Sequence, residues 1–392
     1  MNYTFANRIG NLKPSAIREI LKFTSQPEII PFAAGNPSPE AFPVDTIARL
    51  TADILQNNPV AALQYSITEG YGPLIDCISG YCRDILGICR EADGVIVTSG
   101  AQQVMSLATK ALCNEGDTII CEAPSFIGSL NAFKSLGINL CGIDVQPDGM
   151  DIEQLEQALK TEKNARFIYT IPNFQNPSGV TMSVEKRRAL YDLALRYNVM
   201  IVEDNPYGDL RFAGTHIPAI KSFDTEGIVI YAGSFSKILA PGMRVGFACA
   251  PKEVLSKMVV CKQVDDVHTN ILAQMIALGF MQSPEFDSHI EKIQAIYREK
   301  ANHMMDLLDE CQNLEYNRVE GGLFIWCRLA DKIDMAEFVK KALGEKVAVV
   351  PGIAFLIDEN TPCSHIRLNF STPSYEQITD GMVVLKSLLA SY

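Results

Sequence analysis

Val95-Ile96-Val97-Thr98-Ser99-Gly100-Ala101-Gln102 carries the chain from one period to another. Its first half reads as a strand and Gln102 to Leu112 reads as a helix, so Ser99-Gly100-Ala101 is the joint. Similar units recur. Thr118-Ile119-Ile120-Cys121, Phe167-Ile168-Tyr169-Thr170-Ile171, Met200-Ile201-Val202 and Ile228-Val229-Ile230-Tyr231 are apolar runs of strand length. Between them lie helical stretches such as Val184 to Tyr197, with charges on one face and aliphatics on the other. Near-continuous apolar strands separated by helices specify an α/β fold, a mostly parallel sheet covered by helices on both faces. Ligands of such sheets gather at the carboxyl ends of the strands, so the residues that follow each run are the candidates for chemistry.

This alternation runs over residues 46–285, which predicts a large domain there. From 286 to 392 the order changes. A long helix over Ser288 to Glu310 precedes Gly322-Leu323-Phe324-Ile325-Trp326-Cys327, and another helix and two strands follow, at Val347 to Val350 and His365 to Phe370. This reads as a smaller α+β domain that moves against the large one. Residues 1–45 form an arm expected to join the small domain. In it Pro14-Ser15-Ala16-Ile17-Arg18-Glu19-Ile20-Leu21 reads as a short helix with proline at its start, and Pro31-Phe32-Ala33-Ala34-Gly35-Asn36-Pro37 is extended and then turns.

The 392 residues, 47% apolar and 20% charged, allow two globular domains. No apolar stretch is long enough for a membrane helix, and Met1-Asn2-Tyr3-Thr4-Phe5 does not open a secretory signal. A formal charge of −12 opposes nucleic acid and anionic membranes but leaves small anionic ligands open. Eleven cysteines without metal-type spacing fit buried thiols in a reducing cytoplasm. The five histidines show no spacing for a metal or a triad.

Ser234-Phe235-Ser236-Lys237, followed by Pro241-Gly242-Met243-Arg244, places an amine among hydroxyls with a guanidinium seven residues on. That set suits a phosphorylated aldehyde: Ser234, Ser236 and Arg244 hold the phosphate while Lys237 bonds the carbonyl carbon. The plainer reading is an exposed Lys-Arg face beside a loop. Asp204, after the run Met200-Ile201-Val202, sits where a carboxylate pairs with a protonated ring nitrogen, and Asp204-Asn205-Pro206 is equally a good turn. Gly100, Ala101 and Gln102 open a helix, a ready anion site that is also an ordinary strand-to-helix turn. Arg367, among aliphatics in His365-Ile366-Arg367-Leu368-Asn369-Phe370, needs a partner for its charge, either a substrate carboxylate or an acidic neighbour.

Together with Asp204-Asn205-Pro206-Tyr207 and Asn176-Pro177-Ser178-Gly179, this pattern resembles that of class I/II pyridoxal-phosphate aminotransferases of fold type I. The resemblance runs from Leu12 to Phe370 and is nearest to the 2-aminoadipate, kynurenine and aromatic aminotransferases, through the arm and Phe32-Ala33-Ala34-Gly35-Asn36-Pro37-Ser38-Pro39-Glu40-Ala41-Phe42-Pro43. It implies that Lys237 carries pyridoxal 5'-phosphate as an imine and then acts as base. It further implies that Asp204 holds the ring nitrogen, that Asn176 and Tyr207 donate to the phenolic oxygen, and that Phe126 stacks on the ring. Phe126 as a core residue is the rival reading. Many relatives carry a hydroxyl where this chain has Ala101. Tyr65 is similar to the tyrosine that reaches the neighbouring subunit's phosphate, which implies a homodimer with the site at its interface. Arg367 and Gly35 would receive the substrate carboxylate.

The implied reaction moves an amino group from an acidic or aromatic L-amino acid to a 2-oxo acid, 2-oxoglutarate. Two rivals keep the cofactor: a carbon–sulfur β-lyase and a sensor without turnover. Ser15 and Arg18 lie on the arm helix, where the subgroup recognises side chains. Arg18 pairs either with an acidic substrate side chain or with Glu19 or another carboxylate. If it serves the substrate, Arg18→Ala raises KM for acidic donors more than for aromatic ones in steady-state assays. An equal rise for both assigns Arg18 a structural role.

Overall fold

The apolar runs assemble, in a computed structural model that describes residues 3–10, 26–358 and 360–392, into an eight-stranded sheet. Ser15, Arg18 and the helix expected over Pro14 to Leu21 lie outside the described residues. The strands are β1 (Asp93–Thr98), β2 (Thr118–Ala123), β3 (Asn139–Gln146), β4 (Gly149–Met150), β5 (Ala165–Thr170), β6 (Met200–Asn205), β7 (Val229–Ser234) and β8 (Gly246–Pro251). Their spatial order is β1-β8-β7-β6-β5-β2-β3-β4. The pairs from β7 through to β3 are parallel, whereas β8 runs antiparallel to both of its neighbours and β4 antiparallel to β3.

Both faces of this sheet are dry. Ile119, Cys121, Phe167, Tyr169 and Val202 enter one core, while Ile120, Ile168 and Ile201 enter another on the opposite face. Alternate side chains of a strand point to opposite faces, which is why strands covered on both sides lack a polar alternation. Helices α1 (Gly72–Asp84) and α2 (Ala101–Leu112) pack into the first core, and α3 (Val184–Arg196) into the second. The hydroxyl of Ser183 accepts from the Lys186 amide at 3.3 Å and fixes where α3 begins.

Beyond α4 (Phe286–Leu308) a second sheet forms from β9 (Leu314–Tyr316), β10 (Phe324–Leu329), β11 (Val350–Pro351) and β12 (His365–Asn369), antiparallel in the order β11-β12-β10-β9. The run Val347 to Val350 contributes only Val350 to a strand, because Val347 bridges to Ile30 instead. Residues 30–36 lie along this sheet: Asn369 N donates to Phe32 O at 2.8 Å, and the Ser371 hydroxyl to Asn36 O at 2.8 Å.

One buried ion cluster sets the start of β7. Lys221 Nζ donates to Asp93 Oδ1 at 2.9 Å and to Asp224 Oδ2 at 2.8 Å, with all three side chains almost fully enclosed. Asp224 in turn accepts from the backbone amides of Gly227, Ile228 and Val229. Burial pushes the Asp224 carboxyl up, but Lys221 first and then these amides hold it below its ordinary value. Lys221→Met leaves two buried carboxylates without their cation. It should destabilise the fold by about 3–5 kcal/mol, read as a lower denaturant midpoint, and a loss under about 1 kcal/mol would assign the cluster no such role.

Candidate active site

Six chain segments meet at one edge of the large sheet: the joint after β1, the loops after β2 and β5, the ends of β6 and β7, and the turn before β8. Together they bring most of the residues read from the sequence to one place. Asp204 is the penultimate residue of β6 and only 4% exposed. Its Oδ2 accepts from the Tyr169 hydroxyl at 2.9 Å, whereas its Oδ1 is buried with no partner. Burial pushes the carboxyl up to about 7, against the pull of the Tyr169 hydrogen bond.

Lys237 lies on the turn after β7 and donates from Nζ to the Gly35 carbonyl at 2.9 Å. Burial first, then the guanidiniums of Arg367 and Arg244, lower its amine to about 8. A lysine in that range supplies neutral amine near neutral pH, which a nucleophile or base requires. Ser234 Oγ accepts from the Ser236 amide at 3.1 Å.

The loop after β1 is braced from below. Gly100 precedes α2 at φ 80°, a left-handed conformation that glycine tolerates. A side chain there would run into Arg244 Nη2, and one at Gly246 would come within 2.7 Å of the Ala101 amide. Arg244 donates to the Pro241 and Ser99 carbonyls, both at 3.2 Å. The Ser99 hydroxyl donates to Asp266 at 2.7 Å, and the fully buried Lys262 binds Asp266, Gln103 and Thr269. Ala101 contributes no side-chain donor, and the Gln102 amide is committed to the Gly128 carbonyl at 2.9 Å.

A third set spans the two sheets. Asn176 Nδ2 donates to the Tyr207 hydroxyl at 3.3 Å, and Asn176 Oδ1 accepts from Arg367 Nη1 at 2.9 Å. Arg367 Nη2 reaches the Ala33 and Ala34 carbonyls at 3.2 Å, its Nε is buried without a partner, and its guanidinium lies 4.0 Å from the Phe324 ring centroid. Burial lowers it to about 10, and among the described residues it forms no ion pair. A Cβ at Gly35 would stand 4.0 Å from Arg367 Nη2, so glycine leaves room there. Phe126 caps the helix Ile127–Ser135, its ring against Gly128. Tyr65 stands apart: it is 82% exposed, edge-on to His268 at 5.9 Å.

Two groups at this edge escaped the sequence reading. Tyr169 sits inside an apolar run, where only the pairing of β5 with β6 reveals that it shares Asp204's face. Glu122, at the end of β2, accepts from Thr170 Oγ1, the Ile171 amide and Gln175 Nε2. Gln175 also donates to Pro124 O at 2.8 Å and accepts from the Ser178 amide at 2.9 Å, which ties the Asn176 loop to the Phe126 loop.

The family model for aminotransferase class I and II matches residues 27–384. The chain is 38% identical to aromatic-amino-acid aminotransferase 1 of Thermococcus litoralis, covering 96% of this chain and 92% of that one. It is 37% identical to 2-aminoadipate transaminase of Thermus thermophilus, covering 98% and 97%. The crystal structure of Pyrococcus horikoshii kynurenine aminotransferase, a complex with PMP, superposes with a TM-score of 0.95 at 34% identity, covering 99% and 97%. The chain belongs to aminotransferase class I and II. Within that family it groups with the aromatic-amino-acid, 2-aminoadipate and kynurenine enzymes, and it is a pyridoxal-phosphate-dependent transaminase of fold type I.

The residues fit that cofactor. A ring N–H is what the unpartnered Asp204 Oδ1 lacks, and Gly100, Gly246 and Arg244 pack closely at the start of α2, where helix amides and a guanidinium suit a phosphate. Before the cofactor binds, Asp204 bears on stability. Its folded value lies above the ordinary 3.8, so the folded chain keeps a proton that the unfolded chain has released. The resulting stability is complete below 3.8 and is lost as pH rises through about 7. Melting curves of cofactor-free protein should therefore fall across that window, and Asp204→Asn should flatten the fall. Glu122 titrates in the same direction in both proteins and leaves a residual slope. An unchanged slope in Asp204→Asn contradicts the assignment.

Proposed function

We propose that this transaminase takes the amino group from acidic or aromatic L-amino acids and passes it to a 2-oxo acid, with 2-oxoglutarate as the acceptor. The observation that carries the reading is the juxtaposition of a buried, unpaired carboxylate oxygen on Asp204 with a lowered amine on Lys237 and an unpaired, buried guanidinium on Arg367. Relatives named for aromatic, 2-aminoadipate and kynurenine substrates support the donor classes.

Pyridoxal phosphate supplies an electron sink for the charge left on the substrate α-carbon. Each residue then has a task. Asp204 Oδ1 holds a proton on the ring nitrogen, and Tyr169 keeps that carboxylate oriented through its second oxygen. Asn176 and Tyr207 donate to the phenolic oxygen, and Phe126 covers a ring face. Gly100, Ala101 and Gln102 at the start of α2 hold the phosphate with Ser234, Ser236 and Arg244. Lys237 Nζ would be the attachment point and, as a neutral amine, the base that takes the proton from the substrate α-carbon. Arg367 binds the substrate carboxylate beside Gly35, and its burial under Phe324 keeps water from competing.

The assembly belongs to the same reading. Tyr65, exposed among Val60, Leu63 and Ile67, is covered by a second copy and reaches that copy's phosphate, so the working unit is a homodimer. Residues 46–285 form the cofactor domain, 286–392 the mobile small domain, and 1–45 the arm. The cysteines are all free and no described helix is long and apolar enough to cross a membrane, in keeping with a cytoplasmic location.

A panel of amino donors assayed with 2-oxoglutarate, following cofactor absorbance in each half-reaction, tests the reading. Acidic or aromatic donors should convert the cofactor fastest. Lys237→Ala should lose the visible absorption of lysine-bound cofactor and slow turnover by about 10²–10⁴-fold or more. Full activity in that variant overturns the role of Lys237, and conversion only by donors outside both classes overturns the substrate assignment.

A further inference from the structure

Behind the strand ends that carry Asp204, Tyr207 and Lys237 lies a cavity of about 600 Å³ that none of those three lines. That is the size of a small-molecule site. Asn205, Gly208 and Ser234 form its near wall. Asn205 follows Asp204 in β6, so its side chain points to the opposite face of the sheet. Helix α4 supplies the far wall through Phe286, Ile290, Gln294 and Arg298.

The polar groups are sorted by charge. Asp209 accepts one hydrogen bond, from Tyr81 at 3.3 Å, and forms no salt bridge among the described residues. Burial raises its carboxyl, against the pull of the Tyr81 hydrogen bond and of His216, which lines the same cavity. Asp84, Asp287 and Glu291 line an adjoining depression that also reaches Asp209. Arg298 spends only Nε, on the Phe212 carbonyl at 3.0 Å, and neither of its terminal nitrogens is bonded among the described residues. Arg211 also lines the cavity: its Nη1 is engaged by Glu320 at 2.8 Å and its guanidinium stacks on the Phe174 ring, while its Nη2 is buried without a partner. Gln294 donates to the Asp209 backbone carbonyl at 2.8 Å, and Arg298 follows four residues later on the same face of α4. An acid and a guanidinium lining one cavity can answer the two charges of an α-amino acid, and Ile85, Phe286 and Ile290 offer apolar surface beside them.

We propose that this cavity is a second ligand site, taking a zwitterionic α-amino acid with an apolar side chain, its ammonium on Asp209 and its carboxylate on Arg298. An occupant touches the backs of the segments that hold Asp204, Tyr207 and Lys237.

L-leucine and L-phenylalanine, titrated calorimetrically into holoenzyme whose cofactor has been fixed to Lys237 by borohydride, test this directly. At least one should bind saturably below about 10 mM, with its matched amine and its matched acid each weaker by about tenfold. Asp209→Asn and Arg298→Leu should each weaken binding by about tenfold, and Ile290→Trp, which fills the space, should abolish it. Arg367→Leu should leave it unchanged, and cofactor absorbance should be the same in the cavity variants as in the parent. Absence of saturable binding, binding that survives Arg298→Leu and Ile290→Trp, or binding lost in Arg367→Leu overturns the proposal.

Discussion

A carboxylate oxygen buried without a partner, Oδ1 of Asp204, is the constraint around which this molecule is arranged. Enclosing such a group is costly unless something answers it, and the cost shows as a carboxyl raised to about 7. The sheet makes the burial unavoidable: β6 lies between β5 and β7, covered on both faces, and Asp204 is its penultimate residue. Tyr169 answers one oxygen from the neighbouring strand and leaves the other for a ligand. The proposed cofactor would meet that need with a cationic ring N–H, and so protonated it would supply the electron sink for amino-group transfer.

The remaining side chains at this edge are positioned rather than free. Glu122 and Gln175 couple the loop bearing Asn176 to the loop bearing Phe126, and Lys262 with Asp266 underpins the turn at Gly100. Arg367 crosses from the small sheet to Asn176, and Asn176 touches Tyr207, so the groups proposed for substrate carboxylate and cofactor oxygen form one hydrogen-bonded chain. Charge-stabilising groups held this way need little reorganisation when a ligand arrives. That chain also makes the small sheet and the arm part of the site, since Ala33 and Ala34 accept from the same guanidinium.

Much of this was legible in the sequence where physics acts locally. β2, β5, β6 and β7 are apolar runs because both of their faces are covered, and Gly100 and Lys237 sit at joints with recognisable chemistry. β8 was not singled out, because Gly246-Phe247-Ala248-Cys249-Ala250 is rich in small residues with weak strand preference. Its antiparallel insertion between β1 and β7 depends on the close approach of Phe247 to Gly233, which no local pattern encodes. Tyr169 was hidden because its role rests on a partner 35 positions away, and Glu122 because its partners lie about 50 positions away on other strands and loops. Val347 looked like a strand residue and instead pairs with the arm at Ile30, a long-range choice between two equally apolar surfaces.

The most direct measurement of the central claim is the nitrogen-15 chemical shift of ring-labelled pyridoxal phosphate bound to the protein, followed from about pH 6 to about pH 9. The account predicts a protonated ring nitrogen throughout that range, and loss of that protonation when Asp204 is replaced by asparagine. A ring nitrogen that is unprotonated in the parent protein, or whose protonation is indifferent to the residue at 204, would contradict it.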